Sequence, residues 1–374
     1  MPVEVVGLMD TSMFGGFFQG KNVLITGHTG FKGSWLSVWL LALGAKVIGY
    51  AKDPRTKDDN FVVSGLSEKL IDIRGDIRDL QKLKKVFDAQ SPEIVFHMAA
   101  QPLVRHSYLN PAETFETNVM GTLNVLECIR SSPSVKVGVL ITSDKCYENK
   151  EQLWGYRESD PVGGFDPYSA SKGCAELLIS SYRNSFFNPN DFERHKKAIA
   201  SVRAGNVIGG GDYSPDRIIP DCIKALSEER PVEVRNPDAV RPWQHVLEPL
   251  YGYLLLASLM QSDAARFGTA FNFGPDFASI SPVREVVKMV IDAWGGGEWL
   301  LSENKNAPHE AGFLSLDCTK AKTLLRWMPR LSLREAVEST VFWYRSDGDK
   351  YSLCRKQIDD YCQKLIPATK AEGI

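Results

Sequence analysis

The sequence carries almost no net charge, because 44 lysines and arginines are balanced by 46 aspartates and glutamates, for a formal net charge of -2 at pH 7. A chain this balanced has no overall positive field, so we expect no nucleic acid partner. Cysteine is also scarce, with seven residues and no C-x-x-C pair. An odd number at irregular spacing argues against a disulfide framework and against a bound metal, and it favours reduced thiols in the cytoplasm.

Long apolar runs are missing too. The longest is WLSVWLLALGA at 35–45, whereas a membrane-spanning helix needs about 20 apolar residues. No basic segment precedes an apolar one near the N-terminus, so we expect neither a membrane partner nor a signal peptide. Residues 1–19 are apolar without a regular pattern, which predicts a loosely attached extension.

The chain does have the length and apolar content for a large core, with 374 residues of which 43% are hydrophobic. Short apolar runs alternate with amphipathic stretches through the first half. The strand candidates are 22–26, 45–51, 70–75, 93–99, 136–143 and 198–205. The helix candidates are 31–43, 79–89, 112–131 and 167–187. Apolar strands alternating with helices predict an α/β fold with a doubly wound parallel sheet, a Rossmann domain.

We place this dinucleotide-binding domain at 20–205, because the strict alternation lapses after that point. Proline and glycine become frequent up to residue 242. Helical patterns then follow at 243–262, 281–294 and 333–345, with brief strands between them. We therefore expect a smaller C-terminal α/β substrate lobe, mainly within 206–374, with some segments returning to the first domain.

The segment LITGHTGFKGSWL lies between the first strand and the first helix, and it spaces Gly27, Gly30 and Gly33 as G-x-x-G-x-x-G. Residues without a Cβ let the backbone approach a pyrophosphate, and the helix N-terminus offers unpaired N–H groups to the anion. In this strand–turn–helix context the pattern predicts dinucleotide binding. Lys32 lies in the first helical turn, where it is either solvated or in contact with phosphate.

The end of the second strand does not decide between NAD and NADP. Ala51 stands where an acid would accept the ribose 2′-hydroxyl. Asp53 could reach back to fill that role, whereas Lys52 and Arg55 would suit a 2′-phosphate.

Two later strand ends border the same expected site. Asp76 follows the third strand, where it either reaches the adenine amino group or caps the next helix. The small residues Ala99 and Ala100 end the fourth strand and suit close passage of a cofactor. His97, just before them, is interpreted as a core histidine with satisfied hydrogen bonds.

A tyrosine and a lysine suggest redox chemistry. Pro167 begins a helix, and Tyr168 and Lys172 are four residues apart, so they share one face. A phenol has a pKa near 10, and a nearby ammonium lowers that pKa. The pair therefore predicts a base for a hydroxyl proton. Ser143 ends the strand at 136–143 and is followed directly by an acid and an amine.

Together, TGHTGFKG, Ser143 and YSASK resemble the extended short-chain dehydrogenase/reductase family over about residues 20–345. The resemblance implies that Ser143, Tyr168 and Lys172 act together, and we expect NAD as the cofactor. The implied cofactor-binding residues are Gly27, Gly30, Phe31, Lys32, Gly33, Asp76, Ile77, Ala99, Ala100, Tyr168 and Lys172.

Within the family, GHTGFKGSWL, TSDKCYEN and RPWQHVLEPLYGYL most resemble the 4,6-dehydratases that act on CDP-glucose. This implies oxidation at sugar C4, loss of water from C5 and C6, and return of hydrogen to C6. Related dehydratases carry Asp-Glu after the serine, whereas this sequence has Asp144 and Lys145. The resemblance implies Asp144 as the acid at C6. Lys145 is either the base at C5 or an ammonium that steadies the enolate, unless the two are a turn aspartate and a solvated lysine.

Four residues are expected to contact the substrate. Asn206 follows the sixth strand and, by the resemblance, binds the diphosphate or sugar. Arg217 and Arg241 suit bidentate contacts with the diphosphate, the alternative being simple solvation at the surface. His309 is expected to approach the nucleotide.

Two other functions stay open. A nucleotide-sugar 4-epimerase would share the glycine turn and the Tyr168/Lys172 pair but would not need the acid and amine after Ser143. A cofactor-sensing binding protein could dispense with Tyr168 or Lys172. The family resemblance also implies a homodimer formed through helices at 112–131 and 167–187, and a role in making deoxysugars for lipopolysaccharide O-antigen.

Overall fold

The structure, a computed structural model, describes residues 11–302 and 312–365. Its strands are β1 Asn22–Thr26, β2 Lys46–Ala51, β3 Ile71–Arg74, β4 Ile94–His97, β5 Val137–Ile141, β6 Ala198–Arg203, β7 Val207–Ile208, β8 Val232–Val234, β9 Val240–Pro242, β10 Gln244–His245, β11 Phe271–Asn272, β12 Ile280–Pro282 and β13 Trp299–Leu301. Seven of them form a parallel sheet in the order β11-β6-β5-β4-β1-β2-β3. The predicted doubly wound α/β fold is confirmed.

Helices cover both faces of this sheet. They are α1 Phe31–Ala42, α2 Asn60–Val63, α3 Leu80–Gln90, α4 Val104–Leu109, α5 Pro111–Phe115, α6 Gly121–Ser131, α7 Pro167–Ser185, α8 Phe192–His195, α9 Ile218–Ser227, α10 Leu247–Met260, α11 Ala264–Phe267, α12 Val283–Trp294, α13 Leu333–Arg345 and α14 Lys350–Leu365. A π-helical segment, Glu116–Met120, joins α5 to α6, so the predicted helix at 112–131 contains one irregular turn. No helix in the described ranges is both long and apolar enough to cross a membrane.

Successive residues of β1 pack against opposite faces of the sheet. Val23 and Ile25 belong to a core shared with α1, α10 and α14. Leu24 points to the other face and packs with α3, α6 and α7. Because both faces are covered, the strands read as continuous apolar runs rather than as alternating ones.

The second lobe has its own core, formed by α9, α12 and α13 with β8. Three later elements of the chain pack elsewhere. Helix α10 and helix α14 share the core of α1, and β11 extends the large sheet beside β6. The division at 205/206 remains a prediction.

The expected loose N-terminal extension is wrong for its described part. Phe18 is 1% exposed and belongs to the core beside α1. Phe14 contacts the Phe18 ring edge-on at 5.7 Å and the Tyr251 ring at 5.9 Å. These aromatic residues follow no helix or strand period in the sequence. Their packing against α10 and the core fixes their position instead.

Candidate active site

The carboxyl ends of the parallel strands open into a cleft of about 1000 Å³. The cleft lies where the strand order reverses between β1 and β4, which is the usual ligand site in open α/β sheets. The predicted residues that line it are Gly27, Gly30, Phe31, Lys32, Gly33, Asp76, Ile77, Ala99, Ala100, Ser143, Asp144, Lys145, Tyr168, Lys172, Asn206, Arg217 and Arg241. His309 lies outside the described residues.

The glycine turn fits a dinucleotide. Gly27 has φ +80°, and a Cβ on it would lie 2.7 Å from the backbone nitrogen of Ala99. A Cβ on Gly33 would lie 2.2 Å from the Gly27 carbonyl oxygen. The turn, β4 and α1 therefore pack too closely for side chains. No side chain caps the N-terminus of α1 at Gly30, so its N–H groups remain available to an anion.

Charged groups meet at the other end of the expected cofactor site. Asp76 accepts from the Arg78 guanidinium at 2.7 Å and pairs with Lys52 at 3.2 Å. Burial raises the pKa of Asp76, but these cations outweigh it and hold the pKa at about 2. The cap of α3 is Asp79, which accepts from the Lys82 N–H at 3.0 Å, so Asp76 does not cap that helix. Asp53 is largely exposed, 3.8 Å from Arg74.

His97 is the satisfied core histidine that the sequence predicted. It is 2% exposed, and its ring nitrogens contact the hydroxyls of Thr26 at 2.7 Å and Thr122 at 2.9 Å. Burial lowers the pKa of His97 to about 3, so the ring is neutral.

Tyr168 and Lys172 lie on α7, whose N-terminus Asp166 caps by accepting from the Ser169 N–H at 2.9 Å. Burial raises the pKa of Tyr168 to about 12, although the Ser143 hydroxyl and the Arg217 charge lower it. The Lys172 ammonium instead points to the Ile141 carbonyl oxygen, 3.5 Å away. Burial therefore has the largest effect on the pKa of Tyr168 in this structure, and the action of Lys172 on the phenol stays a prediction.

Asp144 is 2% exposed, and its two carboxylate oxygens differ in their hydrogen bonding. Oδ1 accepts from the Ser143 hydroxyl at 3.0 Å. Oδ2 is buried without a hydrogen-bond partner in the described part of the chain. This oxygen lies against Gly205, where a Cβ would come within 1.7 Å of it. The niche for the carboxylate thus depends on a glycine that sequence reasoning missed.

Lys145 is more exposed to solvent than Asp144. It is partly exposed and lines the cleft. No carboxylate in the described residues forms an ion pair with its ammonium.

The predicted substrate residues surround the outer part of the cleft. The Asn206 side-chain nitrogen is buried and has no acceptor among the described residues. Arg217 pairs with Asp212 at 2.7 Å. Arg241 donates to the Gly312 carbonyl at 3.0 Å. A ligand that enters this region therefore meets one unsatisfied amide donor and two anchored guanidinium groups.

A buried polar network that the sequence did not reveal supports α7. Glu176 accepts from Thr142 at 2.5 Å, and from Ser201 and the Arg203 guanidinium at 2.8 Å each. Burial lowers the pKa of Lys172 to about 8, although the charge of Glu176 raises it. The i,i+4 spacing of Lys172 and Glu176 was the available signal, but the partners on β5 and β6 are distant in sequence.

A second support comes from the π-helical turn. Asn118 donates to the Gln101 carbonyl at 3.0 Å and to the Ser171 hydroxyl at 2.9 Å. It thereby ties the loop after β4 to the helix that carries Tyr168. Such turns are frequent at functional sites.

The doubly wound sheet, the glycine turn and the Ser143/Tyr168/Lys172 set define an extended short-chain dehydrogenase/reductase. The family model that matches is that of GDP-mannose 4,6 dehydratase, over residues 24–340. The chain belongs to this family of enzymes, as the sequence motifs predicted.

Relatives with known names extend over nearly the whole chain. The CDP-glucose 4,6-dehydratase of Salmonella typhimurium (strain LT2) is 50% identical over 349 residues, 92% of this chain and 97% of that protein. The structure of MoeE5 in complex with UDP-glucose and NAD is 27% identical with a TM-score of 0.71, covering 87% of this chain and 98% of that chain. DesIV, a dTDP-glucose 4,6-dehydratase from Streptomyces venezuelae with NAD and TYD bound, shares the fold with a TM-score of 0.72 at 24% identity, covering 87% and 97%.

Proposed function

We propose that this enzyme converts CDP-D-glucose into CDP-4-keto-6-deoxy-D-glucose. The observation that carries the proposal is the acid and amine, Asp144 and Lys145, that follow Ser143 into the cleft shared with Tyr168. Dehydration needs an acid and a base beyond the redox set, whereas epimerisation at C4 does not. The 50% identity to a CDP-glucose 4,6-dehydratase supports the choice of nucleotide and reaction.

The proposed cofactor is NAD, held by the glycine turn and the N-terminus of α1. Bound there, NAD would supply the two-electron acceptor for a hydride from C4, and because that hydride returns to C6 the reaction would consume no cofactor. The complex of a 27% identical relative with UDP-glucose and NAD supports this choice.

The protein's own groups move the protons. Tyr168 takes the proton of the C4 hydroxyl, and the resulting 4-ketone acidifies the C5 proton. Lys145 takes that proton, while Asp144 protonates the C6 hydroxyl so that water leaves. Lys145 then returns its proton to C5.

After these reaction steps Tyr168 holds one proton more than at the start, and Asp144 holds one proton fewer. Ser143 offers the route between them, because it contacts Asp144 at 3.0 Å and its hydroxyl also affects the pKa of Tyr168 through a hydrogen bond. Proton transfer along this path restores both groups, so that the C4 hydroxyl proton ends in the released water.

The test is incubation of the purified enzyme, stripped of cofactor, with CDP-glucose and either NAD or NADP in heavy water. We expect a carbonyl product with deuterium at C5, formed with NAD and without build-up of reduced cofactor. A C4-inverted sugar would indicate a 4-epimerase instead. Faster conversion of UDP-glucose or dTDP-glucose would reject the proposed nucleotide, and a preference for NADP would reject the proposed cofactor.

We also propose a cytoplasmic homodimer that acts in deoxysugar synthesis. The cysteines, all seven of which are unpaired, fit a reducing compartment. The predicted dimer helices expose apolar residues, with Met120 50% and Leu177 62% exposed. Light scattering should give twice the chain mass, and Leu177→Lys should shift it toward a single chain. A monomeric parent enzyme would contradict the dimer.

A further inference from the structure

The acid and the amine proposed for dehydration lie on a very short turn. Asp144 and Lys145 belong to a three-residue 3₁₀ turn that directly follows Ser143. Within this turn the Lys145 N–H donates to the Ser143 hydroxyl at 3.2 Å, and the Cys146 N–H donates to the Ser143 carbonyl at 3.3 Å. These local bonds shape the turn, but they do not fix its place relative to α7.

Side-chain hydrogen bonds hold the chain on both sides of the turn. Before it, the Thr142 hydroxyl donates to Glu176 on α7 at 2.5 Å. After it, the Tyr147 hydroxyl accepts from the Arg203 guanidinium and donates to the Asn272 side-chain oxygen, each at 2.7 Å. Although Tyr147 lines the cleft, its hydroxyl therefore has both a donor and an acceptor partner within the protein.

Arg203, at the end of β6, joins these two anchors through one guanidinium group. Its Nη2 donates to Glu176 at 2.8 Å, while its Nη1 donates to the Tyr147 hydroxyl. Arg203 and Glu176 are each 4% exposed. Burial alone would raise the pKa of Glu176, but the Arg203 charge and the hydrogen bonds outweigh it and lower that pKa. The pair is held firmly, because separating it would leave an unpaired charge out of water.

Backbone contacts hold the chain after the turn to a different segment. The Gly163 N–H donates to the Cys146 carbonyl at 2.8 Å, and Tyr147 pairs with Val162 in an antiparallel bridge. These contacts fix the turn to the loop before α7, whereas the Arg203 contacts fix it to β6 and to α7 itself. Loss of the Arg203 link should therefore shift the turn without unfolding it.

We propose that Arg203 is a positioning residue for the elimination of water, and that it holds the turn with Asp144 and Lys145 against the helix that carries Tyr168. The inference rests on the proposed function. Tyr168 must reach C4 of the sugar, whereas the acid and the base must reach C6 and C5 of the same molecule. Arg203 does not line the cleft, so it acts through the groups that it holds.

The experiment removes the link and leaves the buried ion pair in place. Tyr147→Phe deletes the hydroxyl that binds Arg203 and keeps the ring, whose centroid lies 4.8 Å from the guanidinium carbon. Tyr156→Phe is the matched control, because Tyr156 is 3% exposed and stacks on Tyr147 with the ring centroids 5.1 Å apart. The Tyr156 hydroxyl contacts Asn149 and the Lys150 N–H instead of Arg203.

Holoenzyme of each variant is mixed rapidly with saturating CDP-glucose. The rise of reduced-nicotinamide absorbance reports oxidation at C4, and its decay reports the steps that follow. Tyr147→Phe should slow the decay about tenfold or more, because a displaced acid and base lose part of the ~10²–10⁴-fold that such groups supply. The rise should stay within about threefold of the parent rate, because proton transfer to Tyr168 is untouched. Tyr156→Phe should leave both phases within the same limit.

A second variant tests whether Tyr147 acts through Arg203. Arg203→Lys keeps a positive charge for Glu176, but an ammonium lacks the planar fork that reaches two partners at once. Its decay should slow at least as much as that of Tyr147→Phe. The double variant should be no slower than Arg203→Lys alone, within about twofold. If Arg203→Lys does not fold, the comparison of the two phenylalanine variants still decides the question.

Five results would overturn the inference. The first is a decay in Tyr147→Phe within about threefold of the parent rate. The second is equal slowing of rise and decay, which would indicate general disruption of the cleft. The third is equal slowing of the decay in Tyr156→Phe. The fourth is an effect confined to the KM for CDP-glucose, which would make Tyr147 a substrate ligand.

The fifth is a double variant in which the two effects multiply, because Tyr147 and Arg203 would then act independently. Failure of the proposed function would be recognised separately, in the parent enzyme. If the parent does not dehydrate CDP-glucose, that function is rejected and the inference falls with it.

Discussion

Gly205→Ala should slow the elimination of water and leave oxidation at C4 near the parent rate. Gly205 follows β6, and a Cβ there would lie 1.7 Å from Asp144 Oδ2 and 2.1 Å from Asp144 Cγ, whereas ordinary contacts begin at 3.4 Å. The carboxylate must therefore retreat by more than about 1 Å, a displacement that can cost on the order of 10²-fold in rate. The three heavy atoms nearest to the new methyl group all belong to Asp144.

We therefore expect elimination to slow about 10²-fold, within the ~10²–10⁴-fold that a general acid supplies. Oxidation at C4 should remain near the parent rate, because the displaced group is not its base. Rapid mixing with CDP-glucose would then show reduced cofactor that forms normally and persists.

Gly274→Ala is the control for the added methyl group. Gly274 lies beyond β11, away from the cleft, and its nearest contact would be Cys318 Sγ at 3.4 Å. Its kinetics should match those of the parent. The reasoning fails if Gly205→Ala turns over within about threefold of the parent enzyme. It also fails if oxidation and elimination slow equally, which would indicate general disruption of the cleft instead of loss of the acid.

Other changes probe the remaining groups. Tyr168→Phe should lower kcat by ~10²–10⁴-fold while circular dichroism stays unchanged; near-normal turnover would exclude Tyr168 as the C4 base. Lys145→Met should still reduce the cofactor but lose C5 exchange, and elimination within about tenfold of the parent would leave Lys145 without a chemical role. Glu248 accepts from the Tyr361 hydroxyl at 2.7 Å, and burial raises its pKa to about 7. Because the unfolded carboxyl titrates near 4.3, the free energy of unfolding should fall by roughly 3 kcal/mol as pH rises from about 4.5 to 7.5. Urea titrations should show a flatter pH dependence in Glu248→Gln, and an equally steep one would contradict this assignment.

The sheet could be predicted because its strands are buried on both faces. The apolar run at 136–143 predicted β5, which the structure has at Val137–Ile141. Strand β11 could not be predicted in the same way, because Phe271–Asn272 is two residues long and is defined by its pairing with β6. Helix α14 was missed because it is mostly polar, and its place is set by contacts with α1 far away in the sequence.

The residues of the candidate site could likewise be predicted only where they belong to a local motif. Motifs at fixed spacing placed the glycine turn, Ser143, Tyr168 and Lys172 in one cleft. The niche at Gly205 depends on the Asp144 side chain from another element, so local spacing carries no sign of it. The effect of burial on the Tyr168 pKa could not be predicted from the motif, because the spacing of Tyr168 and Lys172 shows the charge of a neighbour and not how deeply the phenol is buried.

The return of α14 to the first domain affects how the protein is made. Cys354 contacts Asn60 at a sequence separation of 294, and Tyr361 contacts Glu248 on α10. The core of the first domain therefore cannot be completed during translation until residues 350–365 have left the ribosome. Contacts this distant slow folding and leave apolar surface open in the meantime. Until then α14 does not cover the apolar face of α1 that carries Trp35 and Trp39.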